Sequence, residues 1–404
     1  MSMNLEKTRE NFPILHKKIN GKPIVYFDNA CVTLKPKQVV DTMNEYYEDY
    51  TACAGRSAHK FGNRVTEKVK ESREKIAKFV GAKKPEEIIF TRNTTEGINL
   101  LAHSLNLKKN DIVLTTDREH NSNLIPWQLL SKTIGINHKI VYSKKDMTFD
   151  IETFEKTVED AKIVSFVHSS NLDGYTLPVE GLIKIAHDND ALVILDGAQS
   201  IPHKQLNVKK LDVDFFVFSG HKMLGPSGTG VLYGKQHLLE GLNPFMVGGQ
   251  TVQKSTYDSC IFLKPPEKFE AGLQNYAGIT GLAAAADYLE KIGKENVQKH
   301  EIELNKIITK GIENIDGLSI IGPSSPELRG GIISFNIDGI KYHDIAMMLD
   351  ERANIMIRSG QHCVHSWFNA HGIEGSVRAS LYLYNTKEEA KVFIDNLKEI
   401  SKLR

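Results

Sequence analysis

The stretch Val213-Asp214-Phe215-Phe216-Val217-Phe218-Ser219-Gly220-His221-Lys222 runs apolar residues straight into a polar turn that ends on a lysine. An uninterrupted apolar run bounded by turn residues reads as a strand buried on both faces. Open α/β sheets hold their ligands at the carboxyl ends of such strands. A lysine placed there has a specific chemical use, because a partly desolvated amine loses its proton more readily and becomes a nucleophile able to form Schiff bases. Taken alone, Lys222 also reads as an ordinary surface lysine after a strand, so the rest of the sequence must decide.

A second apolar strand, Leu192-Val193-Ile194-Leu195, delivers Asp196-Gly197-Ala198-Gln199 at its carboxyl end. A lysine and an aspartate at successive strand ends are the pair that a pyridoxal phosphate site needs. The lysine holds the aldehyde, and the aspartate keeps the pyridine nitrogen protonated so that the ring accepts electrons. Asp196 by itself reads equally as a turn residue before glycine. A phosphate anchor is expected at a helix N-terminus, where free amides and the helix dipole favour an anion. The run Thr91-Arg92-Asn93-Thr94-Thr95-Glu96-Gly97 supplies hydroxyls just before an apolar-periodic helix, although Thr94 or Thr95 serves there as a plain N-cap too. Ser219 and His221 add donors from the lysine turn. Glu119-His120-Asn121 sets a histidine at another strand-to-helix turn, where it is either a cap or a ring over a planar cofactor.

Outward from these turns, short apolar runs alternate with longer amphipathic ones: Glu87 to Phe90, Thr95 to Leu105, Asp111 to Leu114, Leu124 to Thr133, Asn137 to Val141, Ile163 to Val167 and Pro178 to Asn189. This alternation predicts repeated β/α units and a mostly parallel sheet covered by helices. The expected large domain covers 21–290. A charged helix over Glu290 to Ile312, strands at Leu318 to Gly322 and Gly331 to Ile337, the segment Ile355 to Ile357, and helices at Tyr342 to Glu351 and Thr386 to Ser401 predict a smaller α+β domain from 1–20 and 291–404.

Composition narrows the function classes. The 404 residues carry 51 basic and 50 acidic side chains, a net charge of +1, so no strong field exists to hold nucleic acid or anionic lipid. The longest apolar stretches fall below the roughly 18 residues of a membrane span, and Met1 to Phe12 lacks the apolar run of an export signal. Four scattered cysteines, Cys31, Cys53, Cys260 and Cys363, are too few for a disulfide framework and point to a reducing compartment. The expectation is a cytoplasmic protein that works on small molecules, with neither nucleic acid nor membrane as partner.

With these segments in place the chain resembles the class V aminotransferase group of fold-type I pyridoxal-phosphate enzymes, and within it the SufS-like cysteine desulfurases. The resemblance rests on Phe27-Asp28-Asn29-Ala30, Thr94 to Asn99, Glu119-His120, Asp196 to Gln199, Ser219 to Lys222, Phe269-Glu270-Ala271-Gly272, Arg358 to Cys363 and Arg378 to Thr386, in order and spacing. It implies that Lys222 is the Schiff-base lysine, Asp196 the pyridinium partner, Gln199 the contact to the phenolic oxygen and His120 the stacked ring. Thr94, Thr95, Ser219 and His221 resemble the phosphate contacts. Arg378 resembles the clamp on the substrate carboxylate, helped by Asn171, His59 and Arg358, and Cys363 the sulfur acceptor, with no metal site.

The resemblance further implies a homodimer that converts L-cysteine to L-alanine, leaving a Cys363 persulfide for a sulfur-acceptor or scaffold protein in iron–sulfur or other sulfur delivery. Arg358 and His362, beside Cys363, are expected to favour its thiolate if they point inward. The same marks fit a selenocysteine lyase or another class V lyase or aminotransferase; a non-catalytic scaffold is disfavoured by the retention of Lys222, Asp196 and Arg378 together. The chain departs from the family pattern at Leu273, where threonine is usual, at Val364 to Phe368, and at Cys31. The three cysteines other than Cys363 read as packing residues, as a persulfide relay or as ligands of an iron–sulfur centre.

Overall fold

The computed structural model describes residues 3–404. A short strand, β1 (Val25–Tyr26), precedes seven runs that build one sheet: β2 (Ile88–Thr91), β3 (Ile112–Thr116), β4 (Asn137–Val141), β5 (Ala161–Val167), β6 (Leu192–Asp196), β7 (Phe215–Ser219) and β8 (Gly230–Gly234). Their spatial order is β2-β8-β7-β6-β5-β3-β4. All neighbours are parallel except β8, which runs antiparallel to both β2 and β7. The expected mostly parallel sheet is therefore present, and β8 is a strand that the sequence reading passed over.

Side chains alternate across a strand, and both faces of this sheet are dry. Phe215 and Val217 of β7 pack on one face with Ile194, Leu232, Ile98 and Trp127. Phe216 and Phe218 pack on the other with Val193, Leu195, Phe79 and Leu282. The helices supplying these contacts are α1 (Lys37–Asp49), α2 (Lys60–Val80), α3 (Thr94–Ser104), α4 (Asn121–Thr133), α5 (Val179–Asp188) and α6 (Tyr276–Ile292). Covered twice, the strands have no need of an alternating polar face, which is why they read as continuous apolar runs.

The charged helix expected over Glu290 to Ile312 is two helices. Gly293 adopts φ 81°, a left-handed conformation that glycine reaches at no steric cost, and it separates the largely buried α6 from α7 (Lys294–Ile312). Beyond α7, β9 (Leu318–Ile321), β10 (Ile332–Ile337), β12 (Arg358–Gly360) and β13 (Ser376–Ser380) form an antiparallel sheet in the order β9-β10-β13-β12. Strand β11 (Ile355–Met356) pairs instead with β1, in parallel. Helices α7, α8 (Tyr342–Ala353) and α10 (Lys387–Ser401) bury Leu304, Ile308, Ile345, Leu349, Phe393 and Leu397 against this sheet. The start of α10 follows the sequence signal: Thr386 accepts from Glu389 N–H while the Glu389 carboxylate takes Thr386 N–H, a reciprocal capping box.

The N-terminal segment crosses between the two layers. Phe12 and Leu15 pack in the core of the large sheet, whereas Val25 and Phe27 pack in that of the C-terminal sheet. Ser380 N–H then donates to Phe27 O (2.7 Å), Ala30 N–H to Ser380 Oγ (2.9 Å) and Asn29 Nδ2 to Ser380 O (2.7 Å). These bonds stitch residues 27–31 to the end of β13 and bring both to the carboxyl edge of the large sheet, where the site lies.

Candidate active site

A cavity of about 220 Å3 opens at that edge. The carboxyl end of β6 supplies Asp196, and that of β7 supplies Ser219, His221 and Lys222. The N-terminus of α3 supplies Thr94 and Thr95, and the turn before α4 supplies His120 and Ser122. The C-terminal layer adds Arg358, His362, Cys363 and Arg378, while Ala30, Cys31 and Asn171 close the remaining wall. The turn after Asp196 needs glycine: a Cβ on Gly197 would stand 2.0 Å from the Phe216 ring.

Burial sets the charge states. Lys222 is half-buried on the cavity wall, and desolvation pulls its amine below the usual lysine range; the Asp196 carboxylate works against that shift, and the Arg378 guanidinium adds to it. Burial likewise pushes Asp196 up, with Lys222 opposing, and its Oδ1 accepts Ala198 N–H at 2.9 Å. His120 is held neutral, pulled down to about 3 by burial and the nearby cations Lys222 and Arg378. Its Nδ1 accepts Ser122 N–H at 3.1 Å, so the neutral ring carries its proton on Nε2.

The arginines give the cavity its sign. Arg358 and Arg378 stand directly opposite each other on β12 and β13, an arrangement of like charges that destabilises a ladder unless an anion sits between them. Arg378 Nη1 donates to Asn171 O at 2.9 Å and Nη2 stands 3.6 Å from Asp28 Oδ1, while its Nε and Asn171 Oδ1 are buried without partners. Across the cavity, Ser219 Oγ accepts Thr94 N–H at 2.8 Å and shares a hydrogen bond with Thr94 Oγ1 at 2.7 Å; Thr95 Oγ1 pairs with Ser122 Oγ at 2.7 Å. The N-cap of α3 is neither threonine but Asn93, whose Oδ1 accepts Glu96 N–H at 2.9 Å. Neither threonine hydroxyl is spent on capping, and both residues line the cavity. A helix N-terminus ringed with hydroxyls, a buried carboxylate, a half-buried amine and two facing guanidinium groups are together a donor set that fits pyridoxal phosphate and an amino-acid carboxylate.

Of the residues expected from sequence, Thr94, Thr95, His120, Asn171, Asp196, Ser219, His221, Lys222, Arg358, Cys363 and Arg378 meet here. Gln199 and His59 do not. Gln199 Nε2 donates to Ala30 O at 2.7 Å, and its side chain lines a small neighbouring cavity. His59 is an exposed N-cap of α2 that accepts from Gly62 N–H. His362 also departs from expectation as a charge source for Cys363. Its ring is buried, bonded through Nε2 to Ser376 Oγ at 2.8 Å and pulled down to about 2 by burial and the two arginines, so it brings no positive charge. Leu273 is exposed and lines no part of the cavity, whereas Val364 is buried against Trp367, Phe368 and Leu172. Asp28, Asn93 and Ser122 had no assigned role; Asp28 and Asn93 sit in stretches already singled out and Ser122 lies just past Glu119-His120-Asn121, but only folding sets each beside its partner. Among the described residues no three His, Cys, Asp or Glu side chains form a group able to hold a metal ion.

The depressed histidines make stability depend on pH. His138, His168 and His362 have folded values of about 4, about 3 and about 2, in each case chiefly through burial, against about 6.5 in an unfolded chain. Their contribution is whole above about pH 6.5 and is lost as pH falls towards those folded values, because the unfolded chain binds protons that the folded one refuses. Glu119, pushed up to about 7 by burial, acts in the opposite sense with a single proton between about pH 4.5 and 7. Urea midpoints measured from pH 7.5 to 5 are expected to fall with pH, and His168→Phe to flatten the slope; a flat profile in the parent protein would remove the argument.

The comparisons with known proteins follow this geometry. The aminotransferase class-V family model matches residues 25–393. A probable cysteine desulfurase of Synechocystis sp. is 42% identical, over 96% of this chain and 94% of its own length. A cysteine desulfurase of Haloferax volcanii is 37% identical over 97% and 96%. Among solved structures, an apo cysteine desulfurase from Thermococcus onnurineus superposes with a TM-score of 0.95 at 38% identity, covering 100% of this chain and 99% of the other. The cysteine desulfurase CsdA (S-sulfonic acid) from Escherichia coli gives 0.91 at 29% identity, with both chains covered completely. The chain belongs to the class-V aminotransferase family. Among the described residues no helix is long and apolar enough to cross a membrane.

Proposed function

We propose that the protein is a pyridoxal-phosphate-dependent cysteine desulfurase, a homodimer of the cytoplasm. It converts L-cysteine to L-alanine and passes the sulfur to Cys363 as a persulfide for iron–sulfur assembly or other sulfur delivery. The observation that carries the reading is the meeting of Lys222, Asp196, Arg378 and Cys363 in one cavity. The Haloferax volcanii relative and the structures with TM-scores of 0.95 and 0.91 are cysteine desulfurases, and the Synechocystis relative is a probable one. For the dimer, support comes from the large apolar side chains left exposed around the hairpin Val252–Ser255 and Cys260–Phe262, including Val247, Tyr257, Ile261 and Leu273. His59, exposed on the same chain, would help a substrate only where another copy meets it.

Lys222 would hold the cofactor, Asp196 its ring nitrogen, and Thr94, Thr95, Ser219 and His221 its phosphate, with His120 at its face; Gln199, tied to Ala30 O outside the cavity, takes no part. Bound there, the cofactor supplies an electron sink for negative charge at the substrate Cα. Arg378, with Arg358 and Asn171, grips the substrate carboxylate and sets the amino acid in one orientation. Lys222, with its amine poised towards the neutral form, moves the proton at Cα. His120 presents Nε2–H to the reacting face without adding a charge. Cys363 Sγ attacks the substrate sulfur: the new S–S bond forms, the Cβ–S bond breaks with its electron pair left on carbon, and a proton completes the methyl group of alanine.

The test is a visible absorption spectrum of the protein loaded with pyridoxal phosphate, then L-cysteine with dithiothreitol as the reductant that releases persulfide sulfur as sulfide, alanine and sulfide being assayed together, and particle mass by sedimentation velocity. A bound-cofactor band that changes with cysteine, equimolar alanine and sulfide, and a two-chain mass are expected. Cys363→Ala is expected to keep the band and lose nearly all sulfur release; full activity in that variant would end the acceptor role. A band without alanine would move the substrate assignment.

A further inference from the structure

Two of the four cysteines share the cavity. Cys31, half-buried, lies on the wall formed by the turn after β1; Cys363, exposed, lies on the wall formed by the loop between β12 and α9 (His365–Ala370). Cys53 and Cys260 line no part of it: Cys53 sits beside Gln250, and Cys260 is on the exposed hairpin. Both walls are pinned. Cys31 N–H donates to Asp28 O, and Gln199 Nε2 and Ser380 Oγ fasten Ala30 beside it. Around Cys363, Asn121 N–H donates to Cys363 O at 2.8 Å and Asn171 Nδ2 to His362 O at 2.7 Å. His362 and Cys363 are held at φ 48° and 59°, left-handed values that non-glycine residues adopt at a cost and that cluster at functional loops.

Both cysteines line the cavity together with Lys222 and Arg378, and the Arg378 Nε there is buried without a partner. A thiol here lines the same cavity into which sulfur arrives on Cys363. We propose that Cys31 is a second sulfur-carrying thiol of this site, which takes the terminal sulfur from a Cys363 persulfide; the inference rests on the reading of Cys363 as first acceptor. In the step, the Cys31 thiolate attacks the outer sulfur, a new Cys31 S–S bond forms, the Cys363 S–S bond breaks, and Cys363 leaves as a thiolate that takes up the proton Cys31 gave. One persulfide replaces another, so neither oxidant nor reductant is consumed. Sulfur on Cys363 sits at the open mouth, exposed to any thiol, whereas on Cys31 it is half-enclosed. The exchange also returns Cys363 empty for a second turnover.

The loaded enzyme, in a Cys53→Ser and Cys260→Ser background, is given excess L-cysteine briefly and without added reductant. Alanine per chain is read by rapid quench, and sulfur by mass spectrometry of alkylated Cys31 and Cys363 peptides. A burst approaching two alanines per chain is expected, with an added sulfur on both peptides. Cys31→Ser and Cys31→Ala should halve the burst and leave the sulfur on Cys363 alone. Cys363→Ser should abolish the burst and leave Cys31 unmodified. A parent burst of one, with sulfur only on Cys363, overturns the exchange while leaving Cys363 as acceptor. A Cys363→Ser enzyme that still loads Cys31 overturns the order of transfer and the acceptor reading with it. Loss of the burst in both Cys31 variants, with the cofactor band intact, overturns the exchange by making Cys31 necessary for the first transfer.

Discussion

Lys222→Ala is expected to abolish the covalent cofactor band and to lower alanine formation by about 10⁴-fold or more, the upper end of what one positioned proton-transfer group contributes. The loss is large because two duties fall on one nitrogen. Lys222 is the half-buried amine at the carboxyl end of the strand next to the one bearing Asp196, and its desolvation keeps the neutral, nucleophilic form within reach. Lys222→Arg preserves the positive charge but cannot give up a proton in this range, so it should fail as completely. Stopped-flow absorbance with L-cysteine and an end-point alanine assay check both variants. Residual turnover within about tenfold of the parent would show that another group moves the Cα proton and would break the assignment.

Arg378→Ala should raise the cysteine concentration needed for half-maximal rate and cut kcat/KM by about 10²- to 10³-fold. Charge-assisted hydrogen bonds contribute about 1.5–3 kcal/mol each, and a guanidinium fork offers two to one carboxylate. Arg378→Lys keeps a charge without the fork and should recover only part of the loss. The cofactor band should survive in both, since no contact of Arg378 in the structure reaches the hydroxyl ring at the α3 N-terminus. An unchanged kcat/KM, or a lost band with unchanged KM, would refute the clamp. Relief of the Arg358–Arg378 opposition and loss of the Asp28 partner act in opposite senses on stability, so a thermal melt alone does not report on the role.

Much of this site was legible before folding, because in a doubly covered parallel sheet the chemistry sits where an apolar run stops. Val213 to Lys222 and Leu192 to Gln199 each announce a buried strand by composition and a functional turn by the polar residues that end it. Local chemistry also marks Thr386 with Glu389 as a helix start. Less legible were features whose partners lie far away in the chain. Strand β8, Gly230–Gly234, is short and flanked by glycines, and its place between β2 and β7 follows from hydrogen bonding that no local pattern encodes. The break at Gly293 was hidden by helical propensity on both sides.

The sequence by itself determined the strand and helix periods, the near-zero net charge and the identity of the groups at each strand end, since these follow from backbone geometry and side-chain chemistry within a few residues. Only the tertiary structure decided which of those groups meet. It set Arg358 opposite Arg378, gave the α3 cap to Asn93 so that neither threonine hydroxyl is spent on capping, kept His362 neutral by burial, and brought Cys31 to the cavity of Cys363. The physical reason is common to all four: charge state and reach depend on desolvation and on neighbours across the fold, and neither is a property of the local chain.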